Sequence, residues 1–368
     1  MQHISAQVSA QEIVSIDEFL RLAKHAPILD VRTPAEFAKA HIPSAVNLPL
    51  FSNEERARVG TAYKQESREA ALLLGLECVG PKMRSFVEDA TRIVQDWKNM
   101  QEKQANLPNT SNDAAPTVLV HCWRGGMRSA SMAWLLRFAG FHAQSLQGGY
   151  KAFRRFAGEV FQRTYDVRIL GGYTGSRKTQ ILRALQERGE QVLDLERIAK
   201  HKGSAFGALG EEAQPSTEEF ENQIAMQLHS FNPAQRVWIE DESRLVGKCV
   251  VPEGVWEQMR CAKTVFVDIP FAERVQHLCA VYGEFPQDGL MTAFHDIEQR
   301  LGGAATRSAL EALAANDVAT AAALALRYYD KTYLRGLERR APETVRHCSL
   351  AGLSVEECAE ELLKTIMP

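Results

Sequence analysis

No Cys-x-x-Cys spacing occurs in the chain, and its seven cysteines (78, 122, 249, 261, 279, 348 and 358) are scattered and odd in number. That argues against a zinc site or a disulfide framework and for a reducing compartment. No apolar run reaches membrane-spanning length, and the polar, mixed-charge start carries no signal-peptide pattern, so a cytoplasmic protein with no membrane partner is expected. An excess of positive charge is also missing. The net charge is −3, so no global field announces nucleic acid, and a polyanionic partner would have to be met by local patches. What remains is the composition of a soluble globular protein, 45% hydrophobic and 24% charged, in 368 residues, which is long for one domain and natural for two.

The most informative stretch is His121-Cys122-Trp123-Arg124-Gly125-Gly126-Met127-Arg128-Ser129. The β-branched run Thr117–Val120 ahead of it reads as a buried parallel strand, and Ser131–Phe138 behind it has helical apolar spacing. Cys122 therefore sits on a glycine-bearing turn whose N–H groups and helix start favour negative charge. Arg124 and Arg128 add two permanent cations, and with Gly125 and Gly126 they form an anion cradle around the sulfur. Such surroundings lower a thiol pKa and make a thiolate nucleophile near neutral pH. The plain alternative, a buried structural cysteine, does not account for two Arg and two Gly within six residues.

Taken in order, residues 1–12 read as a loose arm or an edge strand. Ile16–Lys24 is predicted helical behind a Ser15 cap, 27–32 is a buried strand, and Thr33-Pro34-Ala35-Glu36 starts a capped helix. A short strand at 45–48 is followed by helical segments within 51–76 and at 86–100, and then by a polar surface loop over 99–116. A basic amphipathic helix from Lys151 leads to a boundary near 157–165, which places domains at 1–160 and 161–368. Val167–Leu170 is the next strand. The loop Gly171-Gly172-Tyr173-Thr174-Gly175-Ser176-Arg177-Lys178-Thr179 and a helix from Gln180 follow, the context that a phosphate-binding P-loop demands. Gly172, Gly175, Ser176, Lys178 and Thr179 would cradle phosphate oxygens. Arg177 stands where the pattern has glycine, which predicts a strained or altered loop. Strands follow at 191–195, 236–242 and 264–269. The acidic end of the second, with Asp241, and the Thr179 hydroxyl are where Mg²⁺ would be held. Beyond Met291 the chain reads helical and alanine-rich.

Two resemblances cover these elements. Asp30-Val31-Arg32, Glu36-Phe37, His41-Ile42-Pro43, Ala45 and Asn47, followed by a strand and the Cys loop, resemble a rhodanese domain. The resemblance implies that Cys122 handles a chalcogen atom and that Asp30 and Arg32 tie the first strand to neighbouring loops. Ala40 departs from the glycine usual before the histidine, with a small local adjustment expected. The same loop also fits the His-Cys-x5-Arg-Ser signature of cysteine-dependent phosphatases, a reading that lacks a positioned acid.

The whole chain resembles the tRNA 2-selenouridine synthase family. The carrying residues are Cys122–Ser129, Gly171–Thr179, Leu195-Glu196, His201–Gly207, Gln214-Pro215-Ser216, Glu240–Ser243, Leu301–Gly303 and Tyr328–Asp330. The resemblance implies an α/β protein: an N-terminal rhodanese-like parallel-sheet domain, then a P-loop NTPase-like α/β domain with a helical C-terminal part. It implies a transferase acting on wobble 2-thiouridine in tRNA. Geranyl diphosphate first places a geranyl group on sulfur, and selenophosphate then supplies the selenium that replaces the S-geranyl group. Cys122 would serve the selenium step, and Lys178 and Thr179 the diphosphate. No tightly bound cofactor is expected beyond these co-substrates and Mg²⁺, and a selenophosphate-supplying enzyme is a partner the reading admits. Trp123, Arg154, Arg155, Lys200 and Lys202 are candidate RNA contacts, with Tyr173 a further ring for stacking a splayed base. The alternatives are a sulfurtransferase or cysteine-dependent phosphatase fused to a kinase-like domain acting on small molecules, and a catalytically weakened RNA-binding module.

Overall fold

A computed structural model describes residues 12–105 and 115–366. The chain divides into two compact units, Met1–Glu159 and Val160–Pro368. The arm expected over 1–12 lies almost wholly outside the described residues.

In the first unit the order is β1 (Ile13–Val14), α1 (Ile16–Leu22), β2 (Ile28–Asp30), α2 (Pro34–Lys39), β3 (Val46–Asn47), α3 (Asn53–Gln65), α4 (Arg68–Val79) and α5 (Met83–Ala105). Then come β4 (Thr117–His121), α6 (Met127–Phe138), β5 (His142–Leu146) and α7 (Gly149–Phe161). All five strands are parallel, in the order β1-β5-β4-β2-β3. Helix starts follow the sequence closely. The Ser15 hydroxyl accepts the Glu18 N–H, and Thr33 and Glu36 form a reciprocal capping box with Pro34 in the first turn. Ala40 has φ −169°, extended backbone open to any residue, so the departure from glycine costs no strain. The predicted loop over 99–116 is shorter than expected. Helix α5 runs on to Ala105, and the rest falls mostly at 106–114, outside the described residues. Strands β2 and β4 are nearly continuous buried runs, as a sheet covered on both faces requires, and Leu29, Val118 and Val120 pack with Phe86, Met132 and Leu136.

The second unit contains β6 (Val167–Gly172), α8 (Lys178–Glu187), β7 (Gln191–Leu193), α9 (Leu195–Ala199), α10 (Thr217–Ser230), β8 (Val237–Glu240) and a small antiparallel pair, β9 (Leu245–Val246) and β10 (Cys249–Val250). After them come α11 (Glu253–Cys261), β11 (Lys263–Asp268), α12 (Phe271–Tyr282), α13 (Gln287–Asp296), α14 (Glu298–Leu301), α15 (Gly303–Ala314), α16 (Val318–Leu337), β12 (Val345–Ser349) and α17 (Val355–Ile366). Its main sheet is again five parallel strands, β12-β11-β6-β8-β7. Strand β12 corrects the expectation of an unbroken helical C-terminus. The segment Val-Arg-His-Cys-Ser has no apolar alternation of its own and becomes a strand by pairing along its length with β11, from Thr264–Val345 to Asp268–Ser349.

Both sheets place one loop where the strand order reverses. The Cys122 loop leaves β4 beside β2, and the Gly172–Arg177 loop leaves β6 between β8 and β11. Crevices at such switch points, at the carboxyl ends of parallel strands, are where open α/β sheets bind ligands.

Candidate active sites

The Cys122 loop is shaped by backbone bonds to the start of α7. The Tyr150 N–H donates to the Cys122 carbonyl at 2.8 Å, and the Lys151 N–H to that of Trp123 at 3.0 Å. Two glycines make this close approach feasible. A Cβ on Gly125 (φ +65°) would lie 2.7 Å from the Leu146 carbonyl, and one on Gly149 (φ +59°) 2.3 Å from the Cys122 carbonyl. The loop folds back over the sulfur. Cys122 is 3% exposed, and its Sγ lies 3.2 Å from Ser129 Oγ. Burial pushes the thiol up, but bonds from the Ser129 hydroxyl and from the N–H groups of Ser129, Arg124 and Gly126 outweigh it and hold the thiol below its usual range.

The cationic part of the expected cradle divides. Arg128 donates from both terminal nitrogens to Glu36, at 2.7 and 3.3 Å, while Arg124 is exposed. The groups that lower the thiol are thus Ser129 and backbone N–H donors. Glu36, which sequence reasoning read only as a helix-start residue, also accepts the Thr33 N–H at 2.9 Å. Burial raises its carboxyl, yet Arg128 and Thr33 together hold it below the ordinary value.

Beneath the loop lies a buried charged floor. Arg32 forks onto Asp30, with its closest contact at 2.6 Å, donates to the Ala40 carbonyl at 2.7 Å and stacks 3.9 Å over the Tyr150 ring. Asn47 ties the Asp30 and Arg32 carbonyls together. His121, 3.6 Å from Asp30, is driven down to about 4 by burial and is neutral near pH 7. Trp123 is 37% exposed, with its ring 5.5 Å from Tyr150. On α7, Arg155 is exposed and Arg154 half-buried.

In the second unit the loop after β6 carries the strain expected at Arg177. That residue adopts φ +58°, ψ +24°, the left-handed conformation a glycine would supply. Its guanidinium is directed to the Leu353 carbonyl, 3.0 Å away, and lies 4.0 Å from Glu273. Gly172 and Gly175 also have positive φ, and a Cβ on Gly175 would press on Arg274 at 3.2 Å. Arg274, buried and unremarked in the sequence, holds the loop: it pairs with Asp330 through two 2.8 Å bonds and donates to the Thr174 carbonyl at 3.2 Å. Ser176 is 1% exposed and its hydroxyl has no hydrogen-bond partner, an orphan donor inside an anion-type loop. The Lys178 ammonium donates to the Gly172 carbonyl at 2.9 Å and lies 5.2 Å from the Tyr333 ring centroid.

Thr179 donates to Glu196 at 2.9 Å. Glu196 and Glu242 lie together under Gly203, where a Cβ would meet Glu242 oxygens at 2.6 and 2.7 Å and Glu196 at 2.9 Å. Burial and then Glu196 push the Glu242 carboxyl up to about 8, and burial also raises Glu196. Asp241 faces elsewhere: its carboxylate accepts from Arg340 at 2.6 Å, and its carbonyl from the Tyr333 hydroxyl. Among the described residues no three His, Cys, Asp or Glu side chains converge as a metal site. Thr179 and Asp241, the pair expected to hold Mg²⁺, are instead engaged by Glu196 and Arg340.

These loops open into a cleft of about 1190 Å³ whose lining includes nine Lys or Arg and four Asp or Glu, a local excess of positive charge in an acidic chain. Of the two lysines expected as RNA contacts, Lys202 lines the cleft but pairs with Glu211 at 3.0 Å, and Lys200 lies outside its lining, paired with Glu212 at 2.5 Å. Tyr173 is engaged, edge-on to Phe266 and under the Arg274 guanidinium.

The fold and the two loops define a class: a rhodanese-like unit with a cysteine on an N–H-lined turn, followed by a P-loop-like unit with a basic cleft. Comparison with known proteins agrees. The profile of the rhodanese-like domain matches residues 15–156, and that of the tRNA 2-selenouridine synthase AAA domain matches residues 165–361. The chain is 32% identical to the tRNA 2-selenouridine synthase of Shewanella denitrificans over 358 residues, covering 88% of this chain and 92% of that protein. Those of Pseudomonas putida (36%, 75% of each chain) and Nitrosomonas europaea (35%, 73% of this chain and 67% of that) are similar. The chain belongs to the tRNA 2-selenouridine synthase family.

Proposed function

We propose that the protein converts wobble 2-thiouridine in tRNA to 2-selenouridine through an S-geranyl intermediate. Geranyl diphosphate binds at the loop carrying Lys178 and Thr179, and selenophosphate at the Cys122 loop. The observation that carries this reading is the pairing, in one chain, of a lowered thiol in an N–H-lined turn with a second loop whose Lys178, orphan Ser176 hydroxyl and basic cleft suit a diphosphate. A diphosphate leaves readily when its developing charge meets fixed donors, and alkylation turns a thiocarbonyl sulfur into a leaving group. The basic cleft and the half-exposed Trp123 suit phosphates and an unstacked base. No described helix is long and apolar enough to cross a membrane, and a tRNA substrate puts the reaction in the cytoplasm, alongside an enzyme that makes selenophosphate.

The test is mass analysis of nucleosides from 2-thiouridine tRNA incubated with the protein and geranyl diphosphate, with and without selenophosphate. S-geranyl-2-thiouridine without selenophosphate and 2-selenouridine with it are expected. Unchanged 2-thiouridine, with turnover of a nucleotide and a small phosphoryl acceptor instead, would favour the kinase-fused alternative.

A further inference from the structure

The Cys122 loop has the spacing of a phosphatase loop, with Arg128 and Ser129 six and seven residues after the cysteine, yet its surroundings do not suit phosphate esters. Hydrolysis of an alkyl phosphate needs a group that protonates the departing alkoxide, a contribution of about 10²- to 10⁴-fold. The carboxyls beside this loop cannot give a proton. Glu36 is tied to Arg128 and Asp30 to Arg32, and both carboxyls are held below their ordinary values against burial, Glu36 by Arg128 and Thr33 and Asp30 by His121 and Arg32. His121 is buried and neutral. A cradle that offers a thiolate, N–H donors for a tetrahedral oxyanion and, among the described residues of this unit, no carboxyl free to give a proton is matched to a phosphate whose leaving atom departs as an anion unaided. A sulfur or selenium atom on phosphorus is such a leaving group.

We infer that Cys122 attacks the phosphorus of selenophosphate rather than its selenium, releasing hydrogen selenide and leaving a phosphoryl group on the cysteine. This inference rests on the function proposed above and specifies its selenium step. In the first step an Sγ–P bond forms and the P–Se bond breaks, its electron pair leaving on selenium as HSe⁻. In the second, water attacks phosphorus, the S–P bond breaks, and its electron pair returns to Sγ while both water protons leave on dihydrogen phosphate. Nothing is oxidised or reduced. Transfer of the selenium atom itself onto Sγ would leave the P–Se electron pair on phosphorus and release phosphite. The donors around Sγ favour the return step, since Ser129 Oγ at 3.2 Å and the N–H groups of Arg124, Gly126 and Ser129 meet the departing thiolate. The product, a selenide nucleophile, is what displacement of the S-geranyl group at C2 requires.

The experiment is rapid acid quench of the full chain with selenophosphate, and separately with monothiophosphate, followed by peptide mass analysis and assay of phosphate, phosphite and free chalcogenide. Expected are a phosphoryl group on Cys122, absent from Cys122→Ala, equal amounts of phosphate and chalcogenide, and turnover of O-phosphoserine at least about 10²-fold slower than of monothiophosphate. Selenium on Cys122 with phosphite in solution would overturn the inference while leaving 2-selenouridine formation, and so the proposed function, intact. Absence of both adduct and chalcogenide would also overturn it, as would O-phosphoserine turnover matching that of monothiophosphate. Phosphoryl-Cys122 in a protein that forms no 2-selenouridine from S-geranyl tRNA would uphold the step and defeat the tRNA reading.

Discussion

Replacing Ser129 by alanine tests the origin of the Cys122 thiolate. The Ser129 hydroxyl has one proton and two partners, Cys122 Sγ at 3.2 Å and the Gly126 carbonyl at 3.1 Å. While the sulfur is a thiol, Ser129 donates to Gly126. When the thiolate forms, the proton turns to sulfur and the Gly126 bond is given up. A hydrogen bond to a charged acceptor is worth about 1.5–3 kcal/mol and a neutral one about 0.5–1.5 kcal/mol, so the net support is about 1 kcal/mol, or roughly fivefold in the thiol–thiolate equilibrium. The substitution leaves little damage, because the Gly126 carbonyl still accepts the Ala130 N–H at 3.1 Å. Iodoacetamide labelling of Cys122, followed by peptide mass spectrometry across about pH 5 to 9 to bracket the thiol range, reads the effect. The midpoint should move to higher pH, and labelling on the acid side should slow about fivefold. An unmoved midpoint would mean that the hydroxyl does not hold the thiolate and that this account of the site is wrong.

Four further outcomes are expected. Gly149→Ala puts a Cβ 2.3 Å from the Cys122 carbonyl at φ +59° and should destabilise the first unit by at least about 2 kcal/mol, seen as a lower denaturation midpoint. Lys178→Ala removes a charge-assisted contact of about 1.5–3 kcal/mol and should weaken geranyl diphosphate about 10- to 150-fold by calorimetry; unchanged affinity would refute the phosphate role of this loop. Arg177→Gly should leave diphosphate affinity within about threefold, since residue 177 already has the left-handed backbone and its guanidinium contacts Leu353 rather than the loop interior; a large change in either direction would count against this. The Glu242 carboxyl is raised to about 8, so the folded state holds a proton that the unfolded state has already lost above its ordinary value of 4.5, and stability falls as pH rises between them. Glu242→Gln should flatten that decline in thermal midpoint, and an identical slope in both proteins would show that the group does not titrate there.

Much of this protein was legible locally. The capping box at Thr33–Glu36, the strand–loop–helix around Cys122 and the glycines of both loops are short-range chemistry, fixed by residues a few positions apart. Of the two outcomes expected at Arg177, the structure shows strain: the residue takes the left-handed backbone at a cost of about 1–2 kcal/mol, a sum that contacts such as that to Leu353, far along the chain, can offset. Glu36 against Arg128, Arg274 against Asp330, Glu196 beside Glu242 and the pairing of Val345–Ser349 with β11 all join residues brought together only by sheet order, and none leaves a periodic signal. The sequence by itself therefore determined where the candidate groups sit: one thiol and one lysine, each on a glycine-lined turn after a buried strand. Tertiary structure alone decided what those groups face, pairing Arg128, Lys200 and Lys202 with carboxylates and Asp241 with Arg340, and leaving backbone N–H groups and Ser129 to stabilise the sulfur. The physical reason is that a charge acts through the partners it meets across the fold, and those partners are set by long-range packing rather than by neighbours in the chain.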